Sequence, residues 1–337
     1  PPLLPPPGWW LSVPAAVACS HGRPNASVSR DTLPSPRTPP CTVTGTAVEQ
    51  PAQPTRTASP GFVARWWREN VTDVAARTDA ESDAYRAVTP AAVATRQAVV
   101  VIITATVCLT LIRFGKTGSE PQWLTSPLRG LGSDGLAGNI EDNLLLLDRR
   151  EFYGRLWWSV VQIAGYTILP VLVIKVVLRQ RLRDFGLRAP TRGSFKTYAG
   201  LFALVLPLVI AVSFTPAFQS KYPFYDLAAG ESLWPFMIAW WVLYGLQFAA
   251  LEFFFRGFMV HGLERRLGFL AVLVMVIPYT MIHFTKPVLE AFSAMGGGFI
   301  LGSLCLKTRS IWWGAALHSG IALTMDLLSL GHKGVLW

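Results

Sequence analysis

Between residues 97 and 330 the chain carries seven apolar runs, at 97–112, 156–178, 197–218, 233–255, 267–284, 291–306 and 311–330. Each is close to the roughly 20 residues that take a helix across a bilayer core. Lipid offers backbone N–H and C=O groups no partners, so a spanning chain is either helical or a closed barrel. None of these runs has the alternation of a barrel strand. The expected fold is all-α, a polytopic transmembrane bundle of about seven helices. Composition agrees, since 51% of residues are apolar and only 15% are charged, too few for a soluble domain of this size. The net charge of +10 falls largely in short loops between apolar runs, where it sets orientation in the membrane. Membrane lipids are therefore expected partners, and nucleic acid is not.

Upstream of the bundle, residues 1–60 hold more than half of the chain's 25 prolines. No apolar periodicity there lasts a full turn, so the segment reads as a disordered Pro-rich tail. The chain opens on Pro1, and the patchy apolar stretch 3–19 lacks a basic leader, so no signal peptide is expected there. Residues 61–96, with Trp66, Trp67 and several Arg and Asp, read as an amphipathic cytoplasmic juxtamembrane segment. The transmembrane domain then spans 97–330. The connection 113–154 has mixed charge and room for short structure of its own. Cys19 and Cys41 lie in the tail, Cys108 and Cys305 in apolar runs, and no Cys-x-x-Cys spacing occurs.

Basic and near-neutral loops alternate. Lys175, Arg179, Arg181, Arg183, Arg188, Arg192 and Lys196 cluster between the second and third runs; Arg256, Arg265 and Arg266 follow the fourth; Lys307 and Arg309 follow the sixth. By the positive-inside rule the amino terminus is expected in the cytoplasm and the carboxyl terminus outside. The location expected is a bacterial plasma membrane, spanned several times.

Glu252, His283 and His318 stand inside apolar segments. An ionisable group there is costly and usually has a partner and a function. Glu252 and Arg256 are spaced i, i+4, so both project from one helix face and can pair. His283 follows on the next helix and His318 on the last. A Glu and two His meeting there can bind a divalent metal or activate a water. Glu290 and Asp326 are candidate supporting carboxylates. His261 and His332 read as solvent-facing loop residues. The three Trp pairs, such as Trp240-Trp241, fit interfacial belts and packing. One difficulty is geometric: with straight helices, Glu252 and His283 would stand roughly 15–20 Å apart, so a helix boundary must shift, most simply in the fifth run.

At these residues the chain resembles the CAAX protease and bacteriocin-processing (CPBP) family of intramembrane metalloproteases. That family shows Glu-Glu-x-x-x-Arg, then Phe-x-x-x-His, then His-x-x-x-Asn or Asp on successive helices. Glu252 and Arg256 match the second Glu and the Arg; His283 matches the second motif, with Tyr279 in place of Phe; His318 matches the third. The resemblance covers about 235–330, and Asp184-Phe185-Gly186-Leu187 is similar to a loop often found upstream. Leu251 stands where the first Glu would be, and Ala322 where the last Asn or Asp would be.

The resemblance implies a metal-dependent endopeptidase, cleaving a membrane-associated peptide or protein. In that reading Glu252, His283 and His318 are metal ligands or water-positioning groups, the metal being zinc. Arg256 would hold the Glu or the transition-state charge, with Tyr279, Glu290 and Asp326 in support. The first Glu is the water-activating group of that family, so Leu251 also admits an inactive member that binds or protects a membrane partner. A small transporter is a third reading, although no internal repeat supports it.

Overall fold

The computed structural model describes residues 61–116, 122–143, 150–227 and 232–335. The expected disordered tail, 1–60, lies outside them. Among the described residues the regular elements are all helices, apart from an isolated bridge between Leu187 and Ser310. The main elements are α1 (Asp73–Val88), α2 (Ala91–Gly115), α3 (Arg150–Leu172), α4 (Phe195–Ser213), α5 (Phe236–Glu252), α6 (His261–Leu267), α7 (Leu270–Met281), α8 (Val288–Thr308) and α9 (Trp312–His332). Two short helices, Gln122–Gly130 and Asp134–Asn143, occupy the long connection after α2.

This is a polytopic membrane protein, but the expectation of about seven spanning helices needs correction. Among the described residues five helices are long and apolar enough to cross: Ala91–Gly115, Glu151–Val177, Arg192–Ser213, Phe236–Leu267 and Val288–Thr308. The fifth apolar run forms only α7, whose 12 residues rise roughly 18 Å, well short of a core about 30 Å thick. The seventh forms α9, which is long enough but is diluted by His318, Ser319, Asp326 and Ser329.

The juxtamembrane segment is helical from Phe62, with a π-helical stretch at Arg68–Thr72, and α1 ends where Pro90 begins the next helix. Proline disfavours the helical region for the residue before it, and Thr89 is extended (φ −111°, ψ 131°). This segment clasps one end of the bundle. Asp79 Oδ1 accepts the Phe269 N–H at 2.7 Å, Ser82 Oγ donates to the Arg265 carbonyl at 3.2 Å, and Lys307 Nζ donates to Asn70 Oδ1 at 2.9 Å.

The basic loops meet at the same end. The Ile311 N–H donates to the Gly186 carbonyl at 3.0 Å, and Ser310 Oγ to the Arg188 carbonyl at 2.9 Å. A hydrogen bond from Arg188 (2.8 Å) holds the Asp184 carboxyl below its usual range. Phe185 is buried and stacks on Phe258 at 6.4 Å between centroids. Gly257 permits this approach, because a Cβ there would stand 2.6 Å from the Phe185 carbonyl oxygen. The Asp184–Leu187 loop is thereby seated against the helix that carries Arg256.

Candidate functional site

Glu252 ends α5 but not the helical rod. A π-helical stretch, Phe253–Val260, joins α5 to α6, and the rod runs from Phe236 to Leu267. The expected end near residue 255 is thus overturned, and with it the placing of Arg256 in a loop. Glu252 falls mid-rod. The geometric difficulty resolves because the fourth helix is longer than expected and His283 follows α7 directly. π-Helical insertions are rare and concentrate at functional sites.

Glu252 and Arg256 are both buried, with Glu252 Oε1 2.9 Å from Arg256 Nη1. Each charge is what lets the other stay out of water. The guanidinium carbon also sits 4.0 Å over the Tyr279 ring, a face that attracts cations. Behind the carboxylate, Gly314 leaves room, since a Cβ there would lie 2.9 Å from Glu252 Oε2.

From α9, His318 places Nδ1 3.2 Å from Glu252 Oε1. A carboxylate oxygen accepts, so Nδ1 is the donor, and in the neutral imidazole this leaves Nε2 with a lone pair. The His318 ring lies against Phe248 at 4.3 Å between centroids. His283, just past α7, donates through Nδ1 to the Tyr279 carbonyl at 2.8 Å, so its Nε2 is also an acceptor. The Tyr279 ring lies 4.9 Å from the His283 ring and 6.4 Å from that of His318. The structure therefore brings Glu252, Arg256, Tyr279 and His318 into one cluster, with His283 joined through Tyr279.

The supporting carboxylates lie elsewhere. Glu290 has the Tyr222 hydroxyl 2.9 Å from each oxygen and Lys286 Nζ at 3.3 Å. Asp326 is fully buried, accepting the Phe224 N–H at 3.3 Å and the Trp240 indole N–H at 3.2 Å. It anchors the loop before α5 to α9. His261 departs from expectation, whereas His332, the last residue of α9, is exposed as expected. His261 is buried in α6, donating to Glu264 at 3.0 Å with Nε2 3.5 Å from Cys305 Sγ. Arg309 binds both Glu264 oxygens at 2.7 Å. His332 pairs with Ser213 Oγ at 2.9 Å. The i, i+3 spacing of His261 and Glu264 was the available signal for the His261 contact.

A cavity of about 1440 Å³ opens beside the cluster, lined there by Gln247, Phe248, Leu251, Tyr279, His283 and His318. Leu251, and not Glu252, reaches its wall; Glu252 stands behind His318. The zinc expectation meets a poor donor set. Among the described residues no group of three or more His, Cys, Asp or Glu side chains is placed to hold a metal ion. The Glu252 oxygen nearest His318 is already 2.9 Å from a guanidinium nitrogen, and a metal cation at that oxygen would meet direct repulsion.

The fold and cluster define a class: a helical, multi-pass membrane protein with a buried Glu–Arg pair and two histidines beside an interhelical cavity. Residues 231–324, from the loop before α5 into α9, match the family described as Type II CAAX prenyl endopeptidase Rce1-like. That part of the chain is thus similar to a CAAX-protease domain of the CPBP kind. Comparison with curated proteins and with solved structures finds no match.

Proposed function

We propose that the chain is an intramembrane endopeptidase that cleaves a membrane-associated peptide or protein at the wall formed by His283 and His318. The observation that carries this reading is the 3.2 Å contact of His318 Nδ1 with Glu252 Oε1, with His318 on the cavity wall. A carboxylate behind an imidazole fixes its tautomer and stabilises the imidazolium that forms when the other nitrogen takes a proton. His318 Nε2 would remove a proton from water as the oxygen attacks the scissile carbonyl carbon. The same proton would pass to the leaving amine as the C–N bond breaks. His283 Nε2 would accept the second hydrogen of that water and hold it in place. Arg256 would keep Glu252 ionised and oriented.

The test is cleavage of a fluorogenic farnesylated peptide by the full chain in lipid nanodiscs. General-base catalysis is worth about 10²–10⁴-fold, so His318→Ala should lose at least 100-fold in kcat, and Glu252→Gln a comparable amount. Undiminished cleavage by His318→Ala would overturn the assignment.

One observation favours a second reading, a non-catalytic member that binds or protects a membrane partner. Leu251 faces the cavity where the related family places its water-activating glutamate. An apolar side chain at that spot suits retention of a lipidated segment better than delivery of water. In that case the wild-type chain would bind the farnesylated peptide and leave it intact.

A further inference from the structure

Around the Phe224 ring three cations from three separate parts of the chain converge. Lys286 Nζ lies 4.0 Å from the ring centroid, the Arg155 guanidinium carbon 5.5 Å, and Lys221 Nζ 5.8 Å. Arg155 comes from the start of α3, Lys221 from the loop after α4, and Lys286 from the connection between α7 and α8. All three line the cavity, as do Arg113 and Lys116 at the end of α2. Among the described residues lining it, Glu290 is the one carboxylate facing these five cations. Its oxygens are already shared by Tyr222 and Lys286. Arg155 also has Glu151 at 3.3 Å, outside the cavity. A ring face attracts one cation well; here three gather on one ring, with Arg155 and Lys286 each beside one carboxylate, and an anion among them would offset the remaining positive charge.

The rest of the cavity says what that anion is attached to. The α4 side chains that line it are Leu201, Leu204, Val205, Leu208, Val209 and Val212, a wall about 16 Å long at helical rise. None can pair with the amides of an extended peptide, whose unsatisfied backbone is excluded from such surroundings. A hydrocarbon chain has no such need. Leu204 and Leu208 on α4, and Val288 and Leu289 on α8, are also 55–73% exposed, so this wall continues into the lipid-facing surface.

We infer that Arg155, Lys221 and Lys286 bind the phosphate of an anionic glycerophospholipid whose acyl chain lies along the α4 wall. The inference rests on the cavity's charge and lining and is independent of the proposed hydrolysis.

The experiment uses the full chain in detergent and follows tryptophan fluorescence, since Trp158 packs on Phe224 at 5.9 Å. The probes are dihexanoyl phosphatidylglycerol, dihexanoyl phosphatidylcholine, inorganic phosphate and a farnesylated peptide with a free C-terminal carboxylate. Phosphatidylglycerol should saturate, at least 10-fold more tightly than phosphatidylcholine, and inorganic phosphate should not compete at equal concentration. The double variant Lys221→Gln, Lys286→Gln should weaken binding about 30-fold, the effect of two headgroup-facing cations. Arg155→Lys, which keeps the charge, should stay within threefold. If the double variant does not fold, Lys221→Gln alone should weaken binding about fivefold. Equal affinity for the two lipids, or no effect of the charge-removing variants, would overturn the inference. Tight binding of free phosphate would reduce the site to one for soluble anions. Tighter binding of the peptide than of the lipid would reassign it to a substrate carboxylate.

Discussion

The carboxylate of Glu252 and the Nδ1 of His318 lie 3.2 Å apart across 66 residues of sequence. The same oxygen is 2.9 Å from Arg256. One carboxylate thus serves as counter-ion to a guanidinium and as the orienting partner of an imidazole. Its two tasks can be separated experimentally.

Removing one member of a buried ion pair strands the other, at a cost of about 3–5 kcal/mol, whereas replacing both by neutral groups is often close to neutral. Arg256→Met should therefore lower thermal stability in detergent by an amount in that range. Adding Glu252→Gln should recover most of it while cleavage stays lost. Recovery of cleavage with stability would mean that Glu252 serves structure alone.

Gly314 is the floor beneath this carboxylate. In Gly314→Ala the new Cβ would fall 2.9 Å from Glu252 Oε2, and the carboxylate, tied on its other side, must shift by several tenths of an ångström. Misplacement of about 1 Å can cost 100-fold in rate. A loss of about 10-fold in kcat with little change in KM is expected. Unchanged kcat would show that the carboxylate has freedom to spare.

Leu251 offers the opposite experiment. It faces the cavity beside His283 and His318, so Leu251→Glu would set a second carboxylate on the wet side of the histidines. Cleavage should rise about 10-fold or more, within the range of a single general base. Should wild-type protein be silent, appearance of cleavage in this variant would support the non-catalytic reading of the natural chain. A silent variant of normal stability would count against both hydrolytic histidines.

Chelation tests the donor set. With Glu252 held by Arg256, and no group of three His, Cys, Asp or Glu side chains placed to hold a metal ion among the described residues, the full chain should purify with well under one zinc per molecule by elemental analysis. Its melting temperature should be unmoved by a chelator. One tightly held zinc per chain, lost in His283→Ala, would show that these side chains rearrange to bind it.

Most of the helical order could be read from hydropathy, because a bilayer demands long apolar helices and leaves few other solutions. The continuation of the rod past α5 to Leu267 could not. Arg256 reads as a boundary charge from sequence, since nothing local reveals that the Tyr279 ring and the Glu252 carboxylate make a place for it inside. The i, i+4 spacing did disclose the Glu252–Arg256 pair. The burial of His261, and its contacts with Glu264 and Cys305, depended partly on a helix 44 residues away, beyond the reach of any single-helix pattern. Glu290 and Asp326 were legible as candidate supporting carboxylates but not as anchors, because their partners Tyr222, Phe224 and Trp240 come from other segments.

The π-helical stretch Phe253–Val260 has a bearing on how this rod can vary. Above it the rod packs on α3 and α9, and below it on α1 and α2. An i→i+5 turn takes in one residue more than an α-turn, which offsets the phase of one half against the other by about 100°. The rod behaves as two helices spliced out of step. Loss of a single residue from the splice would leave both halves helical and equally apolar, yet would turn Arg256 from Tyr279 or α6 from its neighbours. Length at this point is therefore constrained alongside the identities of Arg256 and Gly257.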